Sequence, residues 1–248
     1  TFLQRILACH PEISTFSEPW LLIPGLSVFR ARDTVSKLDY RSLRLSHEDF
    51  IASLSDKKSS YLKALATFAE TLYTDITTQE NSTYFLDKTP RYHLFIDDIA
   101  EMFPEAKFIF LWRNPLAVMS SIVNTWRKGK WDLYSHRIDL FEGFAKMLAA
   151  QKTYRARSLS LRYEDLREQR EDVVVELLRY LELDPNGLDM EKFEDIDLGG
   201  RLGDPTQGKN KRSDSDSWKK TMNSLPRRNW GLRYLDRFDD LREIGYDT

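Results

Sequence analysis

A short run of apolar and aromatic residues, Lys107-Phe-Ile-Phe-Leu-Trp112, is long enough for a strand and too short for a helix. Because it lacks polar alternation, it predicts a strand buried on both faces, as in a parallel sheet. Arg113-Asn-Pro115 follows at once, and a proline suits the first turn of a helix. Apolar residues then recur at helical spacing as far as Trp126, so the order is strand, tight turn, helix.

The same alternation of strands and helices extends along the rest of the chain, without internal repeats. Further strands are predicted over 13–16, 84–86 and 158–163. Helices are predicted over 1–8, 59–78, 94–104, 138–155, 173–181 and 227–243. Residues 21–58 predict loops and short helices, 126–137 a link, and 198–217 a long loop. This order indicates an α/β fold with a central parallel sheet flanked by helices.

Composition narrows the class of protein. The 248 residues permit one large α/β domain or two small ones. A net charge of −2 does not indicate a general nucleic-acid binder. The single cysteine excludes an intrachain disulfide, and the four histidines show no metal-ligand spacing. We see no signal peptide and no apolar run near the roughly 20 residues of a membrane span, and we expect a cytoplasmic location.

Two cations follow predicted strands at the edge where open α/β sheets bind ligands. Arg113 ends its strand beside a helix N-terminus, and Ser121 lies about two turns into that helix, so both could hold an anion. Pairing of Arg113 with a loop carboxylate is the alternative. Lys88, in the polar turn 87–92, is either a solvated loop lysine or a second cation for the same anion.

Glu18 lies just after a predicted strand, before a proline and between aromatic residues. It is either a solvated loop carboxylate or a general base whose pKa is raised by apolar neighbours. The long loop 198–217 is locally basic, with Lys211 and Arg212 near its end. It is either a solvated loop or a basic lid that closes on a phosphate.

Several of these motifs together resemble sulfotransferases that use 3′-phosphoadenosine 5′-phosphosulfate. The motifs are Thr1-Phe-Leu-Gln-Arg-Ile-Leu, Asp87-Lys-Thr-Pro-Arg-Tyr, Leu111-Trp-Arg-Asn-Pro with Ser121, Leu161-Arg-Tyr-Glu-Asp-Leu, and the basic loop before Trp218-Lys-Lys. The resemblance covers essentially the whole chain. It implies a single domain over 1–248 with a P-loop-like three-layer fold around a parallel sheet.

The resemblance also implies roles for individual residues. Arg113 and Ser121 would hold the 3′-phosphate of the sulfate donor, and Tyr163 would pack near its adenine. Lys211 and Arg212 occupy the place of the basic loop that meets that phosphate in the family.

Thr1 resembles the last threonine of the loop that wraps the 5′-phosphosulfate. We therefore expect that loop, and the strand before it, to be missing from this sequence.

The catalytic residues implied by the resemblance are Glu18 and Lys88. One branch of the family uses a histidine two residues after the matching lysine, but Pro90 stands there in this chain. The branch with tyrosylprotein and many carbohydrate enzymes uses a glutamate placed like Glu18. We therefore expect Glu18 to be the base, ahead of His10, and Lys88 to offset charge on the leaving group.

The expected function is transfer of a sulfuryl group to a hydroxyl of a sugar, a tyrosine or a small alcohol, releasing adenosine 3′,5′-bisphosphate without a metal. Two alternatives remain open at this point. One is a P-loop kinase or NTPase, in which Asp87 could be the magnesium carboxylate. The other is a non-catalytic relative that retains the nucleotide site. A homodimer is compatible with the sequence.

Overall fold

The computed structural model describes residues 1–27, 40–198 and 218–246, apart from the side chains of residues 40 and 41. The chain divides into two compact units. The first contains the described parts of Thr1–Ala106 and Asn186–Gly208. The second contains the described parts of Lys107–Pro185 and Lys209–Thr248.

The first unit is built on two short parallel strands, β1 (Ile13–Thr15) and β2 (Tyr84–Leu86). Ile13 pairs with Tyr84 and Thr15 with Leu86, so both strands end at the same edge. Its helices are α1 (Phe2–Ala8), α2 (Ile23–Leu26), α3 (Tyr40–Ala52), α4 (Lys57–Glu80) and α5 (Ile96–Met102). Short 3₁₀ turns occupy Tyr92–Leu94, Pro185–Gly187 and Met190–Glu194.

Helix α1 forms where the sequence predicts it, because apolar residues recur on one face. Leu3, Ile6 and Leu7 are buried on that face. The buried amide of Gln4 donates hydrogen bonds to Thr15 Oγ1 (2.8 Å) and to the carbonyl of Phe16 (2.9 Å). This helix is therefore fixed to the end of β1.

Helix α4 is longer than the predicted helix 59–78, and a narrow stripe of its residues is buried. Leu62, Ala66 and Ala69 are buried, whereas Phe68 and Leu72 are exposed. Residues 40–52 also form one 13-residue helix, where loops and short helices were expected.

The second unit is built on β3 (Phe108–Trp112) and β4 (Ser158–Arg162), which pair in parallel from Phe108↔Ser158 to Trp112↔Arg162. Phe110 and Trp112 are buried, while the other residues of β3 are half-buried, so the strand is not fully buried on both faces as expected. Its helices are α6 (Pro115–Ser121), α7 (Phe144–Thr153), α8 (Tyr163–Glu168), α9 (Arg170–Tyr180), α10 (Trp218–Thr221) and α11 (Leu225–Leu235).

Two of the predicted helical segments contain π-helical turns. Residues Ile122–Trp126 continue α6 as a π-helix, and Ile138–Gly143 form a π-helix that leads into α7. The remaining turns, all 3₁₀, cover Tyr134–His136, Arg155–Arg157 and Leu241–Ile244. The prediction of a helix over 227–243 is wrong in its second half, because α11 ends at Leu235.

The structure confirms a mixed α/β chain with parallel strands. A single central sheet with a P-loop-like arrangement, in one domain, stays a prediction. None of the described helices is long and apolar enough to cross a membrane. Within residues 1–27, 40–198 and 218–246 there is no cluster of three or more His, Cys, Asp or Glu residues suited to a metal ion.

Candidate functional site

The parallel register of the first unit brings Glu18 and Lys88 together. Thr15 and Leu86 are paired at the ends of β1 and β2, and the two charged residues follow three and two positions later. Lys88 Nζ donates a hydrogen bond to Glu18 Oε1 at 2.6 Å. The lysine side chain is 31% exposed and the glutamate 13%, so the pair is only partly open to solvent.

The turn that carries Glu18 has an unusual backbone. Glu18 has φ 45° and Trp20 has φ 55°, which is the left-handed region that side chains with a Cβ rarely adopt. Each such residue costs about 1–3 kcal/mol and persists only where its surroundings hold it. Just before the turn, Ser17 N–H donates to the carbonyl of Leu198 at 2.8 Å.

Asp87 lies directly before Lys88 and accepts three hydrogen bonds from hydroxyl groups. Tyr73 and Tyr92 both donate to Oδ2 at 2.6 Å. Thr89 Oγ1 donates to Oδ1 at 3.0 Å. We call Asp87 and these three residues the Asp87 cluster.

Burial sets the ionisation of the Asp87 cluster. Burial raises the pKa of the Asp87 carboxyl, and the three hydroxyl hydrogen bonds and Lys88 oppose that rise. Burial, followed by the Asp87 charge, raises the pKa of both Tyr73 and Tyr92, so these phenols remain protonated donors.

The Asp87 cluster also holds the turn after Glu18. The Trp20 N–H donates to Thr89 Oγ1 at 3.3 Å. The backbone of Leu22 hydrogen-bonds the Tyr92 hydroxyl and thereby lowers the pKa of that phenol. Two hydroxyls that donate to Asp87 are thus fixed to the segment that begins with Glu18.

In the second unit, the register of β3 and β4 places Arg113 beside Tyr163. Trp112 and Arg162 are paired, so the next residue of each strand lies at the same edge of the sheet. The Arg113 guanidinium carbon lies 4.8 Å from the centroid of the Tyr163 ring, a cation–π contact. Among the described residues, no carboxylate forms an ion pair with Arg113. Pairing of Arg113 with a loop carboxylate, the alternative to anion binding, is therefore not seen in that part of the chain.

The turn after Arg113 is held by its own hydrogen bonds. The Asn114 side chain accepts from the N–H groups of Leu116 (2.9 Å) and Ala117 (3.3 Å), as an N-cap does. The Asn114 N–H in turn donates to Glu164 Oε1 at 3.0 Å. Tyr246 O–H donates to the second oxygen of Glu164 at 2.5 Å.

The remaining predicted site residues are placed as follows. Ser121 is half-buried at the end of α6. Thr1 is the N-cap of α1, and its carbonyl accepts from Arg5 N–H at 2.8 Å. Lys211 and Arg212 lie outside the described residues.

His10, the weaker candidate for the base, is 2% exposed, and its Nδ1 accepts from the Glu12 N–H at 3.2 Å. A Cβ on Gly187 would lie 2.8 Å from His10 Nε2, so the imidazole is enclosed. These contacts fit a buried structural histidine.

Sequence reasoning missed most of the Asp87 cluster and the role of Glu164. The sequence marks Asp87 as a carboxylate after a strand and as the first residue of a motif, but not as the acceptor of these hydroxyls. Tyr73 gives no signal in the sequence, because it lies on α4, 14 positions before Asp87. Glu164 could have been suspected from its place immediately after Tyr163 at the end of a strand.

Comparison with known proteins adds two findings. The family described as "Sulfotransferase family" matches residues 1–186 of this chain. Nodulation protein NoeE of Sinorhizobium fredii (strain NBRC 101917 / NGR234) is 29% identical over 126 residues, which is 51% of this chain. The matched region spans 29% of the length of that protein.

Proposed function

Because the chain belongs to the sulfotransferase family, we propose that it transfers a sulfuryl group from 3′-phosphoadenosine 5′-phosphosulfate to an acceptor hydroxyl. The observation that carries the proposal is the Glu18–Lys88 pair at 2.6 Å. It places a carboxylate that can take a proton beside a cation that can offset negative charge.

In the first unit, Glu18 is the general base. Among the described residues, Glu18 has one hydrogen-bond partner, Lys88 on Oε1, so Oε2 can accept the proton of the acceptor hydroxyl. The bond from the acceptor oxygen to sulfur forms as the bond from sulfur to the 5′-phosphate oxygen breaks. The electron pair of the broken bond stays on the phosphate, where Lys88 offsets the charge.

In the second unit, Arg113 and Ser121 recognise the 3′-phosphate of the donor. The guanidinium offers several N–H donors to phosphate oxygens, and the contact with Tyr163 restricts its orientation. Tyr163 also remains the candidate neighbour of the adenine. A 3′-phosphate site would distinguish this donor from ATP.

The family resemblance assigns the other contacts of the donor. Thr1 would bind near the 5′-phosphosulfate, and Lys211 and Arg212 would bind the 3′-phosphate. The proposed scheme needs no metal ion, because side-chain cations and hydroxyls supply the charge and the hydrogen bonds.

The kinase or NTPase alternative would use Asp87 as a magnesium ligand. In this structure both Asp87 oxygens already accept hydrogen bonds from Tyr73, Tyr92 and Thr89. That arrangement weighs against Asp87 as a magnesium ligand. The proposed acceptor hydroxyl belongs to a sugar, a tyrosine or a small alcohol.

Calorimetry with adenosine 3′,5′-bisphosphate and with ADP tests the donor. We expect a preference for the bisphosphate that is lost in Arg113→Ala. Arg137→Ala is the matched control, since Arg137 also lies over a tyrosine ring (4.1 Å from the Tyr134 centroid) but is exposed. A preference for ADP would indicate a kinase or NTPase, and binding of neither nucleotide would contradict both.

Transfer of a radioactive sulfuryl group from labelled donor to an oligosaccharide, a tyrosine peptide and 4-nitrophenol then tests the reaction. A further outcome is that the protein binds the bisphosphate and yet never releases it from the donor, whether an acceptor or only water is present. That result would indicate a non-catalytic relative.

A further inference from the structure

Asp87 occupies the centre of a hydrogen-bond network whose outer members hold the backbone after Glu18. Thr89 Oγ1 donates to Asp87 and accepts from the Trp20 N–H. The Tyr92 hydroxyl donates to Asp87 and is hydrogen-bonded by the Leu22 backbone. The Asp87 carboxylate is therefore connected to the backbone of Trp20 through Thr89 and to the backbone of Leu22 through Tyr92.

The direction of each hydrogen bond depends on the Asp87 carboxylate. A hydroxyl has one hydrogen to donate and lone pairs to accept with. Because Asp87 takes the hydrogens of Thr89 and Tyr92, the oxygen of each hydroxyl is left as an acceptor. A backbone N–H is a suitable donor to such an oxygen, so the carboxylate orients both hydroxyls toward the chain.

The segment that these hydroxyls hold is the one with left-handed residues, Glu18 at φ 45° and Trp20 at φ 55°. A strained backbone of this kind relaxes when its anchors are removed. Relaxation at Trp20 would rotate the peptide units that carry Glu18, and the 2.6 Å contact with Lys88 would lengthen.

We infer that Asp87 is a positioning residue, which acts through Thr89 and Tyr92 to hold the turn at Glu18 so that its carboxylate stays on Lys88. This inference rests on the proposed function for its catalytic consequence, and on geometry alone for its structural one. The Asp87 oxygens accept hydrogen bonds from the three hydroxyls, whereas Lys88 Nζ donates to Glu18.

Hydrogen exchange tests the structural part without any substrate. In Asp87→Asn and in Thr89→Val, the amides of a peptide covering 17–22 should exchange at least tenfold faster than in the wild type. A peptide covering 108–121, in the other unit, should be unchanged. Tyr61→Phe is the matched control, since Tyr61 also lies on α4 but donates to the carbonyl of Gly25 at 3.1 Å. Unchanged exchange over 17–22 in either Asp87→Asn or Thr89→Val would overturn the inference.

A double-mutant cycle tests the catalytic part. The rate of release of adenosine 3′,5′-bisphosphate is measured in a single turnover, with the protein in excess over the donor and water or 4-nitrophenol as acceptor. Thr89→Val should lower this rate about tenfold or more and leave the dissociation constant for the bisphosphate unchanged. In a Glu18→Gln background the same substitution should change the rate less than twofold, because its effect passes through Glu18.

The outcomes separate the two proposals. An equal loss of rate from Thr89→Val in both backgrounds would mean that the Asp87 cluster only stabilises the unit, and the inference would fail while sulfuryl transfer stood. If the wild type neither binds the bisphosphate nor releases it from the donor, the proposed function fails. Exchange over 17–22 still decides the positioning role in that case. If Asp87→Asn does not fold, Tyr92→Phe replaces it, because Tyr92 lies between Asp87 and the Leu22 backbone.

Discussion

The Arg113 guanidinium lies over the ring of Tyr163, 4.8 Å from its centroid. Both residues are the first after paired strands, since Trp112 and Arg162 are in register. Among the described residues this ring contact is the recorded partner of Arg113, so the guanidinium N–H groups are not committed to a carboxylate there. An arginine restrained in this way is suited to an anion.

Replacing the ring under Arg113 should weaken anion binding. A cation–π contact contributes about 0.5–1 kcal/mol at an exposed site, which corresponds to about a two- to fivefold change in affinity. We expect Tyr163→Leu to weaken binding of adenosine 3′,5′-bisphosphate by that factor, while Tyr163→Phe retains wild-type binding. Calorimetry measures both. Equal weakening by the two variants would mean that the hydroxyl, and not the ring, matters.

Glu164 should affect both stability and binding, because it accepts from the Asn114 N–H and from Tyr246. Hydrogen bonds to charged groups contribute about 1.5–3 kcal/mol. Since glutamine keeps one acceptor oxygen, Glu164→Gln should lower the free energy of unfolding by about 1–2 kcal/mol and weaken bisphosphate binding. Urea denaturation and calorimetry are the measurements.

Tyr246→Phe is the control for Glu164→Gln, because it removes the phenol and leaves the bond to Asn114. It should lower stability without changing the affinity for the bisphosphate. The effect of Glu164 on binding is expected to pass through the Asn114 turn, which follows Arg113 directly. Loss of affinity in Tyr246→Phe would contradict that route.

A buried polar contact joins α6 to α10. Ser120 Oγ donates to Thr221 Oγ1 at 2.8 Å, and Asn124 Nδ2 donates to both hydroxyls. A buried group left without its partner costs about 1–3 kcal/mol, whereas removing both partners is less costly. Ser120→Ala and Thr221→Val should each destabilise the protein, and the double variant should lose less than the sum. Strict additivity in urea denaturation would show that the two hydroxyls do not interact.

Four tyrosines, two of them buried and two half-buried, should limit stability at alkaline pH. Burial is the largest cause that raises the pKa of Tyr73, Tyr92, Tyr234 and Tyr246 above the ordinary value of 10.0. Since the unfolded chain loses these protons first, the stabilisation is complete below pH 10 and is lost as the pH rises above it.

Each of these phenols contributes at most about 1.4 kcal/mol per pH unit. Absorbance of tyrosinate and far-UV circular dichroism, followed from pH 9 to 12, should show part of the ionisation coinciding with unfolding. In Tyr234→Phe that unfolding should move to higher pH. Ionisation of all eleven tyrosines before any loss of helix would contradict this.

The role of Glu18 can be tested against a neighbouring glutamate. General base catalysis contributes about 10²–10⁴-fold, so Glu18→Gln should lower the rate of sulfuryl transfer by that factor while leaving bisphosphate binding nearly unchanged. Glu12→Gln is the control, because Glu12 precedes the same strand and accepts from Thr83 Oγ1 at 2.7 Å. Full activity of Glu18→Gln would remove Glu18 as the base.

The strands and the charged residues at their ends could be predicted because short apolar runs are bounded by polar turns. Tyr84–Leu86 forms as predicted, and Phe108–Trp112 differs by one residue from the prediction. The closeness of Lys88 to Glu18 follows from parallel pairing, although 70 positions separate them in the chain.

Other features depend on contacts that no local pattern contains. Tyr73 reaches Asp87 because α4 packs near β2, and no local pattern around Tyr73 indicates that contact. A helix is expected over 227–243, but α11 stops at Leu235. The prediction is wrong because apolar spacing does not distinguish a continuous helix from a turn followed by the 3₁₀ segment Leu241–Ile244. The π-helical turn Ile138–Gly143 likewise preserves the spacing of a helix closely enough to be read as one.

The register of β3 and β4 restricts how the length of the chain can vary. Deleting one residue within Ser158–Arg162 would shift the strand by one step and turn the Tyr163 side chain to the opposite face of the sheet. Arg113 would then lose the ring beneath it, even though Arg113 and Tyr163 were both retained. The exposed turn at Gly129, where an added Cβ would meet nothing within 4 Å, has room for a change of length. In this unit, insertions and deletions should therefore be far more harmful in the paired strands than in that turn.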